Sequence, residues 1–157
     1  MPDHHNQLRE LARGVLNGAC PLDGLVTAGQ PTEDELAAFA AAGVRTVLDL
    51  RPSTEDHGFA EPEAVRRLGM TYVAVPVTPE TLTDAQFDDA RAVLRDPANH
   101  PVLLHCRAAN RVGALLFPFL VLDAGHEQEA AFDLACAVGL RSAGYAERAT
   151  AYIEARR

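Results

Sequence analysis

Cys106 and Arg111, with four residues between them, lie in the stretch 101–116, PVLLHCRAANRVGALL. A thiolate attacks electrophilic phosphorus or sulfane sulfur and holds the transferred group covalently. A guanidinium on the same loop supplies parallel donors for two oxygens of an oxyanion. Backbone N–H groups of residues 107–112 stabilise charge as it develops on those oxygens. Cys106 and Arg111 are therefore the candidate catalytic pair, and Arg107, Ala108, Ala109, Asn110 and Val112 the candidate substrate-binding set. His105 precedes the nucleophile and reads as a support that holds the strand end by hydrogen bonding, not as the base. Asn110 reads mainly as a side chain that fixes the loop.

Such a loop needs a strand to deliver the thiol and a helix to close the cradle. Residues 102–104 form an apolar strand running into His105 and Cys106, and an apolar helix follows from Val112. The helix N-terminus favours an anion in the loop and the anionic form of a thiol at its mouth. Being apolar all round, this helix is predicted to be buried, kinked or broken near Pro118 and finished at Gly125. Upstream, residues 25–28 read as a strand, and Thr32 with Glu35 forms a capping box that opens a helix stopped by Gly43. Residues 44–50, VRTVLDL, suit a strand covered on both faces. The polar loop 51–58 lies at its C-terminal end, where α/β folds place function, and Arg51 there is expected to pair with Glu55 or Asp56. A short helix at 63–68 and a strand at 72–77 follow, with Pro76 marking an edge or an end. Thr83 and Gln86 make a second capping box before Phe87, Ala90 and Leu94, and two amphipathic helices, 127–138 and 143–155, close the chain. Strands alternating with helices predict one layered α/β domain over 1–157, a mostly parallel sheet flanked by helices. Residues 1–10 read as a polar, mobile tail and residues 11–16 as a helical turn.

Composition narrows the partners. The 157 residues carry a formal net charge of −8, and no Lys/Arg cluster offsets it. That argues against nucleic acid or an anionic membrane as partner, while local positive potential still admits a small anionic substrate. The N-terminus has no apolar run behind a basic start, and the apolar run 112–122 is too short to span a bilayer. Three cysteines without C-x-x-C spacing suit a reducing cytoplasm. No Cys, His or carboxylate cluster has metal-ligand spacing, so no metal and no other cofactor is expected. Cys136, sharing a helix face with Phe132, reads as structural, Cys20 as inert, and His57, His100 and His126 as surface loop residues.

The HC-x4-R-x-G pattern, His105-Cys106 through Arg111-Val112-Gly113, resembles the phosphate-binding loop of cysteine-dependent protein tyrosine and dual-specificity phosphatases. Residues 27–51, TAGQPTEDELAAFAAAGVRTVLDLR, resemble the start of the compact members. Together these stretches look like the bacterial phosphatase-like domain also found fused to β-lactamase-like hydrolases. The resemblance covers about residues 25 to 122 and implies the same fold, with the phosphate loop between a central strand and a buried helix. It also implies hydrolysis of phosphate monoesters through a phosphocysteine at Cys106, with a phosphorylated protein (phosphotyrosine) or a small phosphoester as partner. A general acid is implied in the loop after strand 72–77, where Glu80 and Asp84 are available, and Asp84 is the candidate. Three features depart from the phosphatase pattern. The loop is one residue shorter, Ala109 replaces the usual Gly, and Val112 replaces the usual Ser or Thr. The shorter loop is closer to that of rhodanese-type sulfurtransferases, and 47–58 loosely echoes a rhodanese segment. A Cys106 persulfide enzyme is therefore the alternative, with an anion-binding protein without catalysis as the third.

Overall fold

The computed structural model describes residues 4–157. Five strands form one sheet in the order β1-β2-β5-β3-β4. They are β1 Ala19–Leu22, β2 Leu25–Ala28, β3 Thr46–Asp49, β4 Thr71–Ala74 and β5 Val102–His105. Pairs β2–β5, β5–β3 and β3–β4 are parallel, and only the edge strand β1 runs antiparallel. The helices are α1 His4–Arg13, α2 Glu33–Ala41, α3 Glu61–Arg67, α4 Asp84–Leu94, α5 Asn110–Leu122, α6 Gln128–Val138 and α7 Ala143–Glu154. The α/β domain with a mostly parallel sheet is as the sequence predicts.

The sheet separates two apolar layers, because successive strand side chains point to opposite faces. Val102, Leu104 and Cys106 pack with α4, α5, α6 and α7, while Leu103, Val26 and Val47 pack with α1, α2 and α3. The two central neighbours β3 and β5 are buried along their whole length, which suits their apolar centres, Val47-Leu48 and Val102-Leu103-Leu104. Both capping boxes form, Thr32 with Glu35 and Thr83 with Gln86.

Several expectations are corrected. Residues 4–13 are helix α1, with Leu8 and Ala12 buried, instead of a mobile tail, because a polar-looking segment still presents an apolar stripe to the sheet; residues 1–3 lie outside the described residues. The edge strand β1 was hidden by its Cys-Pro pair, which an unpaired edge tolerates. Helix α5 runs through Pro118 to Leu122. Packing against α4, α6 and α7 holds the chain helical where proline costs a backbone hydrogen bond. Cys136 is exposed and Phe132 partly so, since α6 turns Ala131, Ala135 and Val138 inward. His100 is half-buried, with its ring nitrogens on the carbonyls of Gly24 and Leu94. His57 is mostly buried, its side chain 10% exposed.

Candidate active site

Strand β5 delivers Cys106 to the C-terminal edge of the sheet, where its N–H donates to the carbonyl of Ala28 at the end of β2 (3.3 Å). The chain turns through residues 107–109 into α5. Ala109 is the N-cap of that helix and adopts φ 68°, ψ 4°, the left-handed region where a Cβ costs free energy. The loop is only four residues long, and this conformation turns it back into the helix. The first helical bond is Gly113 N–H to Ala109 C=O (3.0 Å), so the N–H groups of residues 110–112 have no acceptor within the helix. Two glycines let other segments close on the loop. A Cβ at Gly29 would stand 2.6 Å from the Arg107 carbonyl oxygen, and one at Gly139, φ 146°, would stand 2.7 Å from that of Ala109.

Further bonds hold the rim. Asn110 Oδ1 accepts from the N–H groups of Arg141 (2.7 Å) and Ser142 (3.1 Å), tying the α6–α7 connection to the loop. Ala108 C=O accepts from Asn17 and Arg141, both at 3.1 Å, and Arg107 C=O accepts from Gln30 N–H at 3.0 Å.

Arg111 is fixed by Glu55, which comes from the loop after β3. Its Nη1 donates to Oε2 (2.8 Å) and to the Val77 carbonyl (3.1 Å), and its Nη2 donates to Oε1 (3.1 Å). Those three bonds use three of the five guanidinium protons, leaving the Nε–Nη2 edge for an oxyanion. Burial works against the Arg111 charge, but the Glu55 hydrogen bonds and the field of Cys106 outweigh it and raise its pKa. The hydrogen bond from Arg111 depresses the Glu55 carboxyl to about 2, with Arg51 adding to the shift. Arg51 donates from Nε to Glu55 (2.8 Å) and from Nη2 to the Asp56 carbonyl (2.9 Å), the pairing expected of it.

Behind the loop runs a buried polar chain. Arg51 Nη1 donates to Gln30 Oε1 (2.8 Å), and Gln30 Nε2 donates to Glu61 Oε1 (2.7 Å). Glu61 Oε2 accepts from His105 Nε2 (2.5 Å), while His105 Nδ1 faces the Cys106 carbonyl (3.3 Å). Burial opposes the charge on His105, yet the Glu61 hydrogen bond and charge raise its pKa; burial likewise opposes the Glu61 carboxylate, and His105 lowers its pKa. The two form an ion pair beside Cys106. Asp49 accepts from Tyr72 Oη (2.6 Å), His57 (2.9 Å) and the Arg51 N–H (2.9 Å). Asp49, His57 and Glu61 bring potential metal-ligand atoms within 4.8 Å of one another, a trio that linear spacing hides. Each already has a hydrogen-bond partner in the protein.

A cavity of about 370 Å³ lies over Cys106. Among its walls are Arg107, Ala108, Asn110 and Arg111 from the loop, with Glu55, Arg141 and Tyr145 from elsewhere. Cys106 is 1% exposed and forms its floor, and Ala109 and Val112 are buried beneath. The structure brings every loop candidate together and leaves one candidate out. Asp84 is the first residue of α4, with its side chain 72% exposed and 3.6 Å from Arg156. It is not among the cavity walls; its place in the first turn suits the helix dipole. The Glu55 contact with Arg111, and the places of Arg141 and Tyr145 in the cavity wall, escaped the sequence reading. For Glu55 a signal existed, since the 51–58 loop lies at a strand's C-terminal end; Arg141 and Tyr145 arrive only through the packing of α7.

Curated relatives and solved structures resemble this chain. A β-lactamase hydrolase-like protein of Xylella fastidiosa strain Temecula1 is 33% identical over 103 residues, 63% of this chain and 24% of the relative. The chain thus matches about a quarter of that protein's length. A DUF442 protein of Shewanella putrefaciens CN-32 superposes with TM-score 0.77 at 20% identity, over 93% of this chain and 97% of the other. The core catalytic domain of the PP-IP phosphatase SIW14 from S. cerevisiae superposes with TM-score 0.75 at 16% identity, over 88% and 86%. Those likenesses show the phosphatase-like fold. By its sequence over residues 23–149, the chain belongs to the family described as DSP-PTPase phosphatase fused to NAD+ kinase.

Proposed function

We propose that the protein is a cysteine-dependent phosphatase acting on phosphate monoesters of a protein or a small metabolite. The observation that carries this reading is Arg111, anchored by Glu55 with its Nε–Nη2 edge left toward the cavity over Cys106. Cys106 Sγ attacks phosphorus, the loop N–H groups and Arg111 hold the equatorial oxygens, and water clears the phosphocysteine. His105 supports the loop from below through Glu61. We place the enzyme in the cytoplasm, a proposal that its three free thiols support; among the described residues no helix is long and apolar enough to cross a membrane.

A second reading is sulfur transfer through a Cys106 persulfide. The four-residue loop closed by left-handed Ala109 favours it, because a tight bowl suits one sulfur atom. Hydrolysis of p-nitrophenyl phosphate by wild type and Cys106→Ser tests the first reading. Turnover in wild type should fall by at least 10³-fold in the variant. Turnover equal in both sinks the phosphatase assignment, and Cys106-dependent thiocyanate formation from thiosulfate and cyanide would replace it with sulfur transfer.

A further inference from the structure

A leaving oxygen that departs from phosphorus with a bonding pair needs either a proton or compensating positive charge. Among the described residues, the cavity over Cys106 is walled by one carboxylate, Glu55. Arg111 and Arg51 engage it, and with a pKa of about 2 it carries no proton near neutrality. Asp84 faces Arg156, and Glu80 lies outside those walls. The remaining acidic hydroxyl on the wall is Tyr145. Burial pushes its phenol up, Cys106 and Glu80 adding to the rise while Arg111 and Arg148 oppose it. An acid so far above the working pH gives little general-acid assistance. Positive charge is abundant by contrast. Arg107 and Arg141 line the same walls, both exposed, and neither is paired with a carboxylate among the described residues.

We propose that the site takes phosphoanhydrides, a phosphoryl group carried on a phosphate or carboxylate oxygen, and that Arg107 and Arg141 neutralise the departing oxyanion where other enzymes supply a proton. The inference rests on the Cys106 phosphatase reading and moves its preferred substrate from the ester to the anhydride. Cys106 thiolate donates a pair to phosphorus, forming the S–P bond as the P–O bond breaks. That bond's pair leaves on the departing oxygen, which takes no proton within the site. Water then attacks phosphorus, the S–P pair returns to sulfur, and inorganic phosphate and a proton leave. Activated aryl phosphates remain substrates because their phenolates are stable; alkyl phosphates do not.

The test compares inorganic pyrophosphate and acetyl phosphate with β-glycerophosphate, in EDTA, using p-nitrophenyl phosphate as the reporter of Cys106-dependent turnover. The expected result is a kcat/KM for the two anhydrides at least tenfold above that for β-glycerophosphate. Arg107→Ala and Arg141→Ala should each lower the pyrophosphate to p-nitrophenyl phosphate ratio severalfold. Equal turnover of β-glycerophosphate overturns the proposal and leaves the phosphatase reading standing; a basic limb of kcat lost in Glu80→Gln, Asp84→Asn or Tyr145→Phe would then identify the acid. An unchanged ratio in both arginine variants also overturns it. Failure of every probe to show Cys106-dependent turnover overturns both readings together.

Discussion

Arg111 and Glu55 set the geometry of the site between them. The guanidinium is held end-on, so its free edge is fixed before anything binds, and orientation errors of about 1 Å can cost a hundredfold in rate. Glu55→Gln should lower kcat/KM by about ten- to a hundredfold, measured on p-nitrophenyl phosphate. It should also reduce stability with a definite pH dependence. A carboxyl depressed from 4.5 to about 2 contributes stability that is fully present above pH 4.5 and disappears as pH falls through 2. The difference in urea midpoint between wild type and Glu55→Gln should therefore shrink across that window. Ala109 makes the opposite prediction. Its Cβ is held at φ 68°, at a cost of about 1–2 kcal/mol, so Ala109→Gly should raise stability by about 1 kcal/mol while keeping the loop conformation, as read by denaturant melts.

At the scale of elements, the loop is only as stable as the strand and helices that carry it. Helix α2 covers the face of the sheet opposite α5, and its entry depends on the reciprocal bonds of Thr32 and Glu35, 3.1 and 2.9 Å. Thr32→Ala should cost about 1 kcal/mol, read as a lower melting temperature with kcat unchanged, because α2 supplies no wall of the cavity. The joint between β5 and α3 is stiffer. His105 and Glu61 are fully or nearly fully buried, and removing one partner of such a pair costs about 3–5 kcal/mol. Glu61→Gln should lose that much near pH 5–6. The Glu61 contribution is present above 4.5, its ordinary value, and is lost as pH falls through the depressed value. The His105 contribution is present below 6.5 and is lost as pH rises through the elevated value. The gap between wild type and variant should thus be widest between 4.5 and 6.5. A gap that does not change with pH would exclude the ion pair.

For the molecule as a whole, charge is arranged against its average. The chain carries a net −8, yet the cavity over Cys106 presents Arg107, Arg111 and Arg141 with a single carboxylate. Low-dielectric walls focus that local positive potential, so an anion is drawn to the cavity against the net charge of the chain. The same arrangement makes binding sensitive to ionic strength, since exposed Arg107 and Arg141 are screened within about 8–10 Å in physiological salt.

Local sequence settles whatever depends on neighbours along the chain. Strand β2, the capping boxes of α2 and α4, the apolar run of β5 and the loop from Cys106 to Arg111 are all local patterns. Their physics is periodicity, backbone sterics and helix-end satisfaction, which a short window contains. Helix α1, the edge strand β1 and the passage of α5 through Pro118 were decided by packing, because burial overrode the local preference for tail, loop or kink. The site divides the same way. Cys106, the backbone N–H groups of residues 110–112 and Arg111 share one loop, so their proximity was legible. The clamp from Glu55, the His105–Glu61 pair, Arg141 and Tyr145 join that loop from segments 31 to 56 residues away, and Asp84, adjacent in the expected loop, turned out to serve a helix end. Parallel pairing lines up the C-terminal ends of β2, β3 and β5 and brings Glu55 and Glu61 to the loop, while the packing of α7 brings Arg141 and Tyr145.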